Sequence, residues 1–310
     1  MMEKIIITGA TGAIGRALIS QAVQAGYEVL AVVHRSSKRI ADLEQLEHCN
    51  VLRLDQEEYA QALPVMQEQG IPVEGYSMFF HLAWSASFGE GRNDLHLQAM
   101  NVRAAMDAVR MARLLGCSTF VGTGSQAEYG RVDDALRPDT QANPETGYGS
   151  GKYFAGSLTR SWAEKEGMKH IWTRILSVYG PYDRPETLIS TAVSRMLRNE
   201  DTAFSPCEQI WDYLYSEDAA RALLLAAKKG ISGKTYVIGS GEGRPLRWYI
   251  EKIAEITGYT KEIGFGKRPY NDKQVMHLVA DIRELTEDTG FVPEVSFEEG
   301  IRRVMKWQER

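Results

Sequence analysis

Two rhythms of apolar and polar positions alternate along this chain. Short apolar runs rich in β-branched residues stand at 4–8, 28–33, 51–54, 77–82, 118–123 and 169–175, and they predict buried strands. Between and after them, apolar residues recur every three or four positions, which predicts amphipathic helices over 13–25, 38–47, 57–69, 94–115, 148–167 and 187–199. Strand and helix in alternation predict an α/β fold: a Rossmann-type, doubly wound parallel sheet with helices on both faces. Beyond residue 176 the rhythm loosens into shorter strands, a helix capped near Ser216, a glycine-rich turn at 239–243, and helices at 246–257 and 297–309. The expected organisation is therefore a dinucleotide-binding domain over 1–176 and a smaller C-terminal α/β substrate lobe over 177–310, some of whose elements return to the sheet. Substrate is expected in the cleft between them.

The first strand runs into Thr8-Gly9-Ala10-Thr11-Gly12-Ala13-Ile14-Gly15 and then a helix. Glycines in such a turn let the main chain approach an anion with no Cβ in the way. The first N–H groups of the helix point at the same spot, backed by the positive end of its dipole. The third glycine allows close packing of helix on strand. A dinucleotide pyrophosphate is thus expected against Gly9, Thr11, Gly12, Ala13, Ile14 and Gly15. An acidic residue at the end of the second strand would hold the ribose of NAD, whereas a basic one accommodates a 2′-phosphate. Here the strand ends His34-Arg35-Ser36-Ser37-Lys38, so Arg35 and Ser36, a planar donor fork and a hydroxyl, predict NADP, with NAD the alternative.

Tyr148 and Lys152 stand four residues apart and share one face if the segment is helical. A nearby cation favours the phenolate, and the expectation is that Lys152 lowers the pKa of Tyr148 into a useful range for proton transfer. Ser125 follows an apolar strand and places a hydroxyl at the sheet edge where ligands gather.

Charge and cysteine content narrow the class. The 310 residues carry a net charge of −5 with both signs interspersed, which leaves no electrostatic footprint for nucleic acid. No window has the apolar length of a membrane span and no leader pattern opens the chain, so a cytoplasmic protein is expected. Three scattered cysteines and six histidines without paired ligand spacing suggest neither a disulfide framework nor a metal. His81, Trp162, Trp172, Trp248, Met196 and Met276 read as packing residues, with His81 a satisfied structural histidine.

The ordered segments, taken together, resemble the extended short-chain dehydrogenase/reductases, in their nucleotide-sugar epimerase/dehydratase branch. The resemblance is carried by the glycine turn, Leu54-Asp55, Phe80-His81-Leu82-Ala83, Asn101-Val102, Gly124-Ser125-Gln126-Ala127-Glu128-Tyr129-Gly130, Tyr148-Gly149-Ser150-Gly151-Lys152, Arg174-Ile175-Leu176-Ser177-Val178-Tyr179-Gly180-Pro181, Trp211-Asp212-Tyr213-Leu214-Tyr215-Ser216-Glu217-Asp218 and Ala280-Asp281-Ile282. It implies that Tyr148 is the catalytic acid/base, that Lys152 holds the nicotinamide ribose and tunes Tyr148, and that Ser125 binds the reacting sugar oxygen. It further implies that Asp55 meets the adenine amine and that Leu82 and Ala83 border the cofactor. Trp84, Gln126, Ser177, Trp211 and Arg268 are the positions expected against a nucleotide-sugar substrate.

Departures from the pattern steer the choice of reaction. Members that eliminate water carry acidic residues where this chain has Gln126 and Ala127, and Glu128 stands one place too late, which disfavours dehydration. Trp211 replaces an arginine that pairs with the nucleotide diphosphate, and Ser177 replaces an asparagine. Reduction of a nucleotide-linked 4-keto, 6-deoxy sugar is the first reading; a 4-epimerase is the alternative, and a non-catalytic NADP sensor the third. The resemblance also implies a homodimer paired through the helices at 94–115 and 148–167.

Overall fold

The computed structural model describes residues 2–309. Seven parallel strands form the main sheet: β1 (Lys4–Thr8), β2 (Glu28–Val33), β3 (Cys49–Arg53), β4 (Tyr76–His81), β5 (Thr119–Ser125), β6 (Lys169–Ile175) and, from the far end of the chain, Thr235–Ile238. Their spatial order is 3-2-1-4-5-6 with the late strand beyond β6. The order reverses between β1 and β4, and a crevice opens outside the carboxyl ends of the strands at such a switch point. The runs are nearly continuous in apolar residues because both faces are covered. On β1, Ile5 and Ile7 enter one core while Ile6 enters the other, each with no exposed surface.

One face carries α1 (Ala13–Gln24) and α2 (Ala41–Glu44); the other carries α3 (Ala62–Glu68), α4 (Leu95–Leu114) and α5 (Gly147–Lys165). The remainder comprises β7 (Ser177–Tyr179), α6 (Leu188–Leu197), β8 (Ile210–Trp211), β9 (Tyr213–Tyr215), α7 (Ser216–Lys229), β10 (Thr235–Ile238), β11 (Arg244–Pro245), α8 (Leu246–Thr257), β12 (His277–Leu278), α9 (Arg283–Thr289) and α10 (Phe297–Gln308). β10 pairs with β6, and Ala219, Leu223 and Ala227 of α7 pack into the α1 side of the sheet core. A separate core joins α6, α8 and α10 through Ile189, Val193, Ile250, Ile253, Ile301 and Val304. Two carboxylates of the late motif serve this architecture. Asp212 accepts from the N–H groups of Ser240, Gly241 and Ala280, and Asp218 accepts from those of Glu294 and Val295.

The predicted helix over 38–47 shrinks to the single turn of α2, which buries only Leu43 and has no apolar stripe to sustain more. The helix expected over 57–69 divides into a 3-10 segment, Gln56–Gln61, and α3. Pro64 has no N–H for the Ala60 carbonyl and is tolerated only in the first turn of a new helix. β5 runs two residues past the predicted end at 123, which brings Ser125 onto the sheet itself. No helix among the described residues is long and apolar enough to cross a membrane.

Candidate active site

The glycine turn is built for close approach. Gly9 adopts φ +68°, and a Cβ there would sit 2.8 Å from the Ala83 nitrogen and the Leu82 carbonyl carbon. A Cβ on Gly15 would collide with the Gly9 carbonyl, so β1, the turn and α1 can pack this tightly only with glycine at both positions. Thr8 ties the turn to β4: its Oγ1 accepts from the N–H groups of Leu82 (3.1 Å) and Ala83 (3.2 Å) and lies 3.0 Å from Nδ1 of His81. With Oγ1 already accepting, its own hydrogen goes to Nδ1, which leaves the His81 proton on Nε2. That nitrogen is buried without a partner, so the ring is only half satisfied, contrary to the expectation from sequence. Burial pushes the His81 pKa down to about 3, with the Lys152 charge adding to the effect, and the ring stays neutral.

The turn opens into a cavity of about 890 Å³ at the carboxyl ends of β1, β4, β5 and β6. Gly9, Thr11, Gly12, Ala13, Leu82, Ala83, Trp84, Ser125, Gln126, Tyr148 and Ser177 all line it. Ile14, Gly15 and Lys152 line an adjoining cavity that shares Gly9, Gly12, Ser125 and Tyr148.

Each member of the expected reacting set has an identifiable support. Ser125 ends β5 and accepts through Oγ from the Ala127 N–H at 3.2 Å. Tyr148 and Lys152 fall on one face of α5, whose N-terminus is capped by Thr146 accepting from Gly149. Lys152 is 3% exposed; its Nζ donates to the Thr123 carbonyl at 2.6 Å and lies 4.0 Å from the centre of the Trp84 ring. Burial lowers its pKa to about 7, and the Glu128 charge partly offsets the drop. The Trp84 indole is fixed in turn by donation to Gln98 at 2.8 Å.

The expectation that Lys152 depresses the Tyr148 pKa does not hold in this geometry. Burial dominates and raises the phenol above its ordinary value, against a hydrogen bond with Ser125 and the charge of Arg92. The Arg92 guanidinium lies 4.7 Å from the centre of the Tyr148 ring, nearer than the Lys152 ammonium at 5.9 Å. Sequence reasoning missed Arg92, which stands in a short 3-10 segment with no motif around it. It also missed Asp183, a cavity carboxylate whose pKa burial raises and whose oxygens accept from the Arg184 N–H and the Thr187 hydroxyl.

Other expected positions lie outside the cavity lining. Arg35 is exposed and forms a two-pronged ion pair with Glu58 at 2.8 and 2.9 Å, while its backbone N–H donates to Asp55. Ser36 bonds to His34 at 2.8 Å; the residues of this run that do reach the cavity are Ser37, Lys38 and Arg39. Trp211 donates to Ser177 Oγ at 2.8 Å from behind the cavity wall. Arg268, expected against the substrate, is exposed on a loop of the lobe, outside both cavities.

The model of the NAD dependent epimerase/dehydratase family matches residues 5–239, and the chain belongs to that family. The first curated relatives it matches are up to 31% identical over 182 residues, and the chain spans about half of their length. A dTDP-glucose 4,6-dehydratase of Neisseria meningitidis is 25% identical over 346 aligned positions, covering 99% of this chain and 93% of that protein. The UDP-glucose 4-epimerase of Thermotoga maritima, solved with UDP-glucose, superposes with a TM-score of 0.84 at 25% identity over 99% of this chain and 98% of that one. A Bacillus cereus UDP-glucuronic acid 4-epimerase, solved with UDP-glucuronic acid and NAD, shares the fold at TM-score 0.83 and 22% identity, over 99% of both chains.

Proposed function

We propose that this protein transfers hydride and proton at C4 of a nucleotide-linked hexose, as an NAD(P)-dependent 4-epimerase. The observation that carries the reading is the convergence of Ser125, Tyr148 and Lys152 at the carboxyl end of β5, in a cavity continuous with a glycine cradle suited to a pyrophosphate. The cradle, Leu82 and Ala83 would hold the cofactor, with Lys152 toward its nicotinamide ribose. When bound, a nicotinamide accepts and returns hydride. Tyr148 takes the proton of the C4 hydroxyl as it becomes a carbonyl and gives it back as the alcohol re-forms. Ser125 steadies the oxygen on which charge develops, and Arg92 and Lys152 bring positive charge near the Tyr148 ring.

Elimination of water fits this site less well. Gln126 and Ala127 offer no carboxyl beside Ser125, and the Glu128 carboxylate is fully buried in an ion pair with Arg174. The relatives named for epimerases support the reading more directly than they support a reductase. A second reading, reduction of a 4-keto nucleotide sugar with NADPH, is favoured by one observation: the basic run His34 to Arg39 carries no carboxylate of its own at the end of β2. A homodimer is also proposed, because Met100 on α4 and Tyr153 and Phe154 on α5 leave large apolar groups about half exposed on helices that pack together.

Turnover of UDP- and dTDP-hexoses, followed by chromatography of the sugar and absorbance of reduced cofactor, tests the proposal. Interconversion of 4-epimers at constant cofactor redox state is expected. Stoichiometric loss of NADPH with a 4-keto substrate would replace the epimerase with the reductase, and loss of water from the hexose would reject both.

A further inference from the structure

Glu128 holds an unusual place in this fold. It has no exposed surface, yet it carries a charge directly beneath the site. Its Oε1 accepts from the Ser125 N–H at 2.9 Å, its Oε2 from Nε of Arg174 at 2.8 Å, and both oxygens from the Trp172 indole at 3.1 and 3.3 Å. Room for this network has been cleared. A Cβ on Gly124 would strike the Glu128 carboxylate, one on Gly122 would strike the Trp172 ring, and one on Gly156 would lie 2.7 Å from the same ring. The ion pair by itself is weak evidence of stabilisation, because well-packed apolar groups often replace a buried pair at no loss.

The network borders the reacting set on both sides of Gly124. Thr123 presents its carbonyl to the Lys152 ammonium, and Ser125 presents its N–H to Glu128. We propose that Glu128 is the positioning residue of the site: it fixes the end of β5 under Ser125 and places a carboxylate behind Lys152. This rests on the reading of Ser125, Tyr148 and Lys152 as the reacting set. Glu128 is also the one carboxylate whose charge is felt at both Lys152 and Tyr148, raising the pKa of each. The other groups facing Lys152 are neutral His81 on β4, Trp84, and Tyr148 with Arg92 over its ring; Arg174 on β6 and Tyr129 face Glu128.

The test follows Lys152 directly, by NMR titration of protein labelled with ¹³C-lysine and assigned with Lys152→Arg. Glu128→Gln keeps an acceptor for the Ser125 N–H and removes the charge. It is expected to lower the Lys152 midpoint by about one pH unit, since the charge that raises it is gone. The rate-governing titration in turnover should move to lower pH with it. Since Arg174 would then be buried without its counter-charge, the paired variant Glu128→Gln/Arg174→Met, which preserves net charge, is titrated alongside and should shift the same way. An unchanged or raised midpoint in a folded variant overturns the proposal. The NMR titration needs no substrate, so a lack of turnover would count against the enzymatic reading alone.

Discussion

Gly156→Ala sets two effects of known size against each other on the helix that carries Tyr148 and Lys152. Alanine in a helix interior is favoured over glycine by about 1 kcal/mol, since glycine has more backbone freedom to lose. Against this, the new methyl would lie 2.7 to 3.0 Å from three ring atoms of Trp172. That ring is 2% exposed, held at Nε1 by Glu128 and stacked on His170 with centroids 6.3 Å apart, so it has nowhere to retreat. Overpacking of this kind costs about 1–3 kcal/mol, and the expected net effect is a loss of up to about 2 kcal/mol, centred near 1. In a Trp172→Leu background the obstruction is gone, and the same substitution should become stabilising by up to about 1 kcal/mol. Urea unfolding of the four proteins, with equal slopes as the control, would give a coupling of about 2 kcal/mol. Stabilisation by Gly156→Ala in the native background, or coupling below about 0.5 kcal/mol, would refute the reading that glycine at 156 makes room for the Trp172 ring.

Tyr148→Phe should lower kcat by about two to four orders of magnitude, the range for a lost general acid or base, while cofactor affinity measured by calorimetry survives. Arg35→Ala should weaken NADPH binding about tenfold or more and leave NADH nearly unchanged, as the exposed Glu58 pair yields readily to a phosphate. Equal losses for both cofactors would remove Arg35 from the 2′-phosphate. His81 and His170 both have folded pKa values near 3, below the ordinary 6.5, so the unfolded chain binds protons first. The stability they contribute is complete above pH 6.5 and lost as pH falls toward 3, at up to about 1.4 kcal/mol per pH unit for each ring; urea midpoints at several pH values should show this, with a shallower fall in His170→Phe. Light scattering should give a dimer mass that Phe154→Glu converts to a monomer; a monomeric wild type at micromolar concentration would end that proposal.

What could be read from the sequence was what lies close together along it. The glycine turn is eight residues of one strand–helix junction, and Tyr148 and Lys152 need only one helical turn to share a face. Six of the sheet's seven strands announced themselves as apolar runs, and the seventh, Thr235–Ile238, was not among the predicted ones. The helix over 38–47 failed where only Ile40 and Leu43 had a core to enter, and the division of 57–69 was written in Pro64. Arg92 and Asp183 stayed hidden because their places depend on loops returning over the cavity from distant parts of the chain. Arg35 shows the converse: its position at the end of β2 was legible, but its engagement with Glu58, 23 residues away, was not.

Glu128 marks the boundary between these cases. Its partner Arg174 is 46 residues distant and Trp172 is 44, so spacing from Ser125 alone made it look like a carboxylate one place out of position. Yet the network left a trace. Gly122 and Gly124 stand two apart on β5 and therefore clear the same face of the strand, the face on which α5 lies with Gly156 opposite. Three glycines converging from a central strand and its covering helix weaken both elements, by entropy and by lost packing, unless a large group fills the space they leave. The group that fills the space comes from the neighbouring strand β6 and is Trp172; an indole buried there needs an acceptor for its N–H, which Glu128 supplies. The same carboxylate then requires Arg174, and the ion pair ends with one remaining lone-pair direction aimed at the Ser125 N–H. Packing demand and site geometry are in this way one chain of argument, running from glycine spacing to the placement of Ser125.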